Sequence, residues 1–114
     1  MTDPSATSRI DTIRSLNDDL RTSLNGGSVV LTASIAALDS DLRTKIIEAV
    51  RRYNTFHADN DPYGEHDFGS LVVEGHAVFF KIDYYDGDLQ FHSPDPADPA
   101  VTHRVLTIML ADDY

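Results

Sequence analysis

Apolar residues recur at spacings of three and four near the start of the chain, at Ile10, Ile13, Leu16, Leu20 and Leu24. That stripe predicts an amphipathic helix. Ser8 is its expected N-cap, with Asp11 three residues on, and Asn25-Gly26-Gly27 is its stop. Residues 1–7 are polar and expected to fray. The run SVVLT at 28–32 is short and β-branched, which predicts a strand. A second helix opens at Asp39, a favourable N-cap, with Asp41 at the positive end of its dipole. Leu42, Ile46, Val50 and Tyr53 form its buried line, and Arg51 and Arg52 close it.

The period then changes. Residues 71–74 and 77–85 read as two strands joined at Gly75-His76. In the longer one Val78, Phe80, Ile82 and Tyr84 share one face, and Phe79, Lys81, Asp83 and Tyr85 the other. Asp86-Gly87 marks a turn before a third strand at 89–92. The segment SPDPADPA is an extended connector. Asp98 as N-cap and Pro99 at the first helical position predict a last helix over 100–111. Val101, Val105, Leu106, Ile108 and Met109 would form its apolar face. The order α-β-α-β-β-β-α predicts an α+β fold. Three helices pack on a small antiparallel sheet, a three-stranded meander with 28–32 available as a fourth strand. At 114 residues this is a single α+β domain over 8–114, preceded by a flexible N-terminus at 1–7.

Charge divides the chain unevenly. Residues 1–54 are balanced, with seven Lys/Arg and seven Asp/Glu, whereas residues 55–103 hold Lys81 against ten carboxylates. Those acids are Asp59, Asp61, Glu65, Asp67, Glu74, Asp83, Asp86, Asp88, Asp95 and Asp98. The net charge of −10 argues against direct binding to nucleic acid or anionic lipid, which recruit Lys and Arg. It suits a basic protein surface, a cation, or a nucleic-acid-binding protein that takes carboxylates in place of phosphates. Cysteine is absent, which excludes disulfides and thiolate metal sites. MTDPSATSR lacks an apolar signal region and no apolar run approaches the ~18 residues of a membrane span, so a cytoplasmic location is expected.

Several groups in the acidic stretch carry candidate chemistry. Asp59-Asn60-Asp61-Pro62-Tyr63-Gly64 opens like a calcium loop, but Tyr63 and Ser70 occupy positions that need ligands. The alternative is a turn held by Asx hydrogen bonds. Glu65, His66 and Asp67, with His57, His76, His92 or Asp83, have the donor types of a zinc or manganese site without a recognised spacing. No metal or other cofactor is therefore assigned. Lys81 and Asp83 lie on one strand face, as a catalytic pair or as a charge pair on a solvated sheet. Phe79 and Tyr85 on that face point to a covered surface or a recognition surface. No serine elbow, Walker loop or dinucleotide fingerprint is present.

NDPYGEHDFG (60–69), KIDYYD (81–86) and SPDPADPAVTHRVLTIMLADDY (93–114), and more loosely IRSLND (13–18) and VVLT (29–32), resemble domain-of-unknown-function family 3768. Phe80 stands where that resemblance leads one to expect Trp. It implies a bacterial, mobile-element setting and transfers no catalytic or binding residues. The expected function is that of a non-enzymatic accessory protein of a mobile element. It would bind a basic surface on a nucleic-acid-binding host protein, as an anti-CRISPR-like inhibitor does. The expected partner-binding residues are Asp59, Asp61, Tyr63, Glu65, His66, Asp67, Lys81, Asp83, Tyr85, Asp86 and Asp88, gathered on one acidic surface. A small metal-assisted or acid–base hydrolase using Glu65, His66, Asp67, Lys81 and Asp83 is the second reading. A homodimer burying Phe79, Tyr85 and Phe91 is the third.

Overall fold

The computed structural model describes residues 4–114, with side chains from residue 9 onward. Its elements run α1 (Pro4–Ser23), β1 (Ser28–Leu31), α2 (Ala33–Ala36), α3 (Ser40–Arg52), β2 (Phe68–Val73), β3 (His76–Tyr85) and β4 (His103–Leu110), closed by a 3-10 turn at Ala111–Asp113. The α+β class stands. α1 is already helical at Pro4, ahead of the expected cap at Ser8; residues 1–3 lie outside the described residues. α3 begins as its sequence implies, with the Asp39 carboxylate accepting from the Asp41 N–H.

The four strands form one mixed sheet in the order β1-β4-β3-β2, with β1 parallel to β4 and the other pairs antiparallel. Two expectations fail here. The region expected to be a helix over 100–111 is instead β4, a central strand paired on both sides. Its apolar residues satisfy helical spacing, but they also alternate, with Arg104, Leu106 and Ile108 buried. β-branched Val105, Thr107 and Ile108 favour the pleated form, and a ladder on each edge decides the choice. Asp98 caps only a turn, its carboxylate taking the Ala100 N–H at 2.9 Å.

The expected third meander strand at 89–92 is a loop that meets β3 through an isolated bridge between Tyr85 and His92 and an edge-on contact of the His92 ring with Tyr84. Leu89 adopts a left-handed φ of 60°, which breaks the extended run. The Asp86 carboxylate takes the Gln90 N–H and folds the segment around itself.

α1 and α3 cover one face of the sheet. Leu20, Ile35, Ile46 and Val50 pack there against Val78, Phe80, Ile82, Leu106 and Ile108. Phe80 lies at the centre, edge-on to Tyr53 at 5.2 Å. Gly69 lets the Phe80 ring approach the backbone of β2, since a Cβ there would come 2.1 Å from the ring. On the opposite sheet face Tyr114, following the C-terminal 3-10 turn, packs on Phe79, and among the described residues no helix is long and apolar enough to cross a membrane.

Candidate functional site

The acidic loop that follows α3 is held against α1 by polar side chains. Arg21 leaves α1 and donates to the carbonyls of Val50, Arg51 and Tyr53 at 3.4, 3.2 and 2.7 Å. The Val50 carbonyl also accepts the Tyr53 N–H at 3.2 Å, and the other two carbonyls lie at the end of α3, where intrahelical donors run out, so one helix supplies part of the C-terminal cap of another. The same guanidinium donates to Asp18 at 3.0 Å and lies over the rings of Phe56 and Phe80. Asp18 in turn sits 2.8 Å from His66 Nδ1, and His66 stacks on Phe56 with ring centroids 3.8 Å apart.

Asp61 points inward, its side chain only 6% exposed, with one oxygen 3.5 Å from His66 Nε2. Its other oxygen accepts the His66 N–H at 3.1 Å. The stretch that opens like a calcium loop is thus a turn closed by Asx hydrogen bonds, reinforced by Asn60, whose side-chain oxygen takes the His57 N–H at 2.8 Å.

A second chain of contacts lies beside the first. Arg104 of β4 donates to Asn17 Oδ1 at 2.9 Å and lies over the Tyr84 ring. Asn17 Nδ2 donates to the Tyr84 hydroxyl at 2.7 Å and to the Glu65 carbonyl at 3.0 Å. Tyr84 then donates to the Glu65 carboxylate at 2.7 Å. Burial, followed by the bond to Glu65, pushes the Tyr84 phenol far up, so it stays protonated at any physiological pH. Burial lowers the Arg104 guanidinium from its ordinary value while leaving it charged. Asp67 is raised, first by burial and then by the neighbouring charge of Glu65. The network is internally satisfied. Arg21 Nε is its one exception, the only buried side-chain nitrogen or oxygen among the described residues without a hydrogen-bond partner.

Lys81, Asp83 and Tyr85 occupy the other face of β3. Lys81 Nζ lies 3.1 Å from Asp83 Oδ2, with the two side chains 41% and 38% exposed. Along this face Tyr114 packs edge to face with Phe68 and Phe79, which tilt against each other, with centroids 5.4 to 6.1 Å apart. Beside them runs a groove of about 460 Å³ lined by Thr32, Lys81, Thr107, Met109, Asp113 and Tyr114. Asp113 is held below its ordinary value by hydrogen bonds from Ser34 and Thr32.

The eleven residues singled out by sequence therefore divide. Glu65 and His66 bond to α1, Asp61 bonds to His66, and Asp67 is half-buried just before β2, while Lys81, Asp83 and Tyr85 lie on the open sheet face. Asp59, Tyr63 and Asp88 are exposed, and Asp86 organises the loop after β3. Of the five hydrolase candidates, Glu65 and His66 bond to α1, Lys81 and Asp83 pair with each other, and Asp67 feels the charge of both Glu65 and Asp83. Among the described residues no three His, Cys, Asp or Glu side chains are placed to hold a metal ion.

Asn17, Asp18, Arg21 and Arg104 were not anticipated. Asn17 and Arg21 carried a signal, because they continue the line of Ile13, Leu20 and Leu24 along α1. The sequence profile of the family described as protein of unknown function (DUF3768) matches residues 31–113. The chain belongs to the DUF3768 family. The match takes in α2, α3, the acidic loop, β2, β3 and β4, with only the last residue of β1, but not α1. No curated protein and no solved structure matches the chain.

Proposed function

We propose that this DUF3768 chain is a non-enzymatic accessory protein that binds a basic partner protein through its acidic half. In its most concrete form it is a mobile element's inhibitor, occupying the nucleic-acid-binding surface of a host defence complex. The observation carrying this reading is the uncompensated charge of residues 55–103. Of their ten carboxylates, only Glu74, Asp83 and Asp95 pair with Lys or Arg. Asp59 and Asp88 are exposed, and Asp83 and Asp86 are half-buried. A surface of this kind speeds association with a positive partner and makes it sensitive to salt.

The arrangement around Tyr84 and His66 favours binding over catalysis. Its groups are engaged with one another, and the phenol is driven away from neutral titration.

The test is affinity capture from host cells at low and moderate salt, using the native chain and a variant with Asp59, Asp83, Asp86 and Asp88 all changed to Lys. A specific partner retained by the native chain and lost with the variant supports the reading. Identical capture by both chains removes it.

A further inference from the structure

β2 forms an outer edge of the sheet. It joins β3 through a two-residue turn in which Glu74 and Gly75 have φ of 48° and 83°, the left-handed pair such hairpins require. In a hairpin of this kind the closing pair, Val73 and His76, exchanges both backbone hydrogen bonds. Alternation then turns Leu71, Gly69 and Asp67 toward β3, which agrees with the 2.8 Å bond from the Ile82 N–H to the Asp67 carbonyl. The backbone groups of Phe68, Ser70 and Val72 consequently face outward. No described residue hydrogen-bonds to them.

Folded proteins usually blunt such edges with lysine, proline, a bulge or a very short strand. The other edge, β1, is four residues long, whereas β2 has six residues, FGSLVV, with no charge and no proline. Ser70 is exposed, and Val72 is 72% exposed. The strand is bracketed by acids, Asp67 before it and Glu74 after it, the latter in an exposed pair with Lys45 that a basic partner would have to displace.

We infer that the edge of β2 receives an extended segment of the partner protein by strand addition, with Lys or Arg at both ends of that segment. The backbone ladder supplies affinity, and the flanking acids select the ends. A second copy of this chain is a poor occupant. Antiparallel self-pairing sets Asp67 of one strand near Glu74 of the other, and parallel pairing sets like beside like, so acid meets acid either way. The basic ends of the proposed segment rest on the partner chemistry proposed above; the strand addition itself does not.

Short synthetic peptides separate the two. One alternates Val and Thr with Lys at both ends, the second carries Glu in place of Lys, and the third is the Lys peptide N-methylated at alternate residues. The expected result is binding of the Lys peptide with slowed hydrogen exchange at the Ser70 and Val72 amides. N-methylation should weaken it about tenfold or more, the loss of one or more ladder bonds, and Val72→Lys should weaken it as well by setting a lysine on the edge against the basic peptide. Equal binding of the Lys and N-methylated peptides overturns strand addition and leaves the acidic-surface reading intact. Equal binding of the Lys and Glu peptides, with the amides still protected, overturns the basic partner and leaves strand addition standing. Absence of amide protection with every peptide overturns the proposal, as does a dimer by sedimentation that Val72→Lys dissociates.

Discussion

β3 separates two polar settings built from neighbouring residues. On the helix side, Tyr84 is fixed between Asn17 and Glu65, under the guanidinium of Arg104. On the open side, Lys81 and Asp83 pair in solvent. Burial makes the difference. The first arrangement must satisfy every donor and acceptor because water cannot, whereas the second exchanges its partners with water at little cost. The helix side therefore holds the loop to the body of the protein, and the open side and its edges remain available for a partner.

The widest gap between the two sides should appear in the ring pair Phe80 and Phe79. Phe80→Ala removes the centre of the core and should cost about 3–5 kcal/mol in urea unfolding. Phe79→Ala, half-buried against Phe68 and Tyr114, should cost about 1–2 kcal/mol by its smaller buried area. Equal losses would erase the distinction between covered and open faces.

Next in size is Asn17→Ala, which strips a donor from Tyr84 and Glu65 and an acceptor from Arg104. It should cost about 2–3 kcal/mol, the range for buried groups left unsatisfied. It should also raise hydrogen exchange at the amides of Glu65 and His66. A loss confined to stability, with the loop unaffected, would show that the network serves the core alone.

How much of this was legible in sequence follows from the same contrast. α3 and the two faces of β3 were readable because their apolar periods admit one interpretation. β4 was not, because Val105, Leu106, Ile108 and Met109 fit both helical spacing and alternation. Only its place between β1 and β3 settles the matter, and that is a long-range fact. The acidic character of the loop was plain. What Asp61 and Glu65 do was not, since their partners lie 5 and 19 residues away in sequence. Asn17 and Arg21 sit in a buried helical stripe where a polar residue signals a buried polar contact, yet nothing local names the carbonyls that Arg21 caps.

Two carboxylates should respond to pH with opposite signs. Asp67 has a folded-state pKa above the ordinary 3.8, so the folded state favours its protonated form. Its ionisation opposes folding as pH rises from that ordinary value through the raised one, and the penalty is complete above it. Asp67→Asn should then stabilise the protein at neutral pH, with the gain vanishing below the ordinary value. Asp113 is held below 3.8, so its stabilising contribution is present above that value and is lost as pH falls through the lowered one. Asp113→Asn should therefore destabilise at neutral pH and converge with the native chain in acid. Denaturant midpoints across the acid range test both, and the same sign for the two variants would contradict the placement of Asp67.

The smallest effect is expected at Lys81 and Asp83. Both side chains are more than a third exposed, so solvent screens their attraction and holding them together costs side-chain freedom. A double-mutant cycle with Lys81→Ala and Asp83→Ala should give a coupling of about 0–1 kcal/mol, falling further with added salt. The equivalent cycle with Asn17→Ala and Tyr84→Phe should give a larger coupling that salt leaves unchanged, because neither partner is charged and the bond is shielded from solvent. If the Lys81–Asp83 coupling instead exceeds about 2 kcal/mol and resists salt, the pair is desolvated in solution, beyond the range of an exposed pair. Something then covers the open face, and the first candidate is a second copy of the chain lying over Phe79 and Tyr85. Repeating the cycle at two protein concentrations decides that point, since only an intermolecular cover makes the coupling rise with concentration.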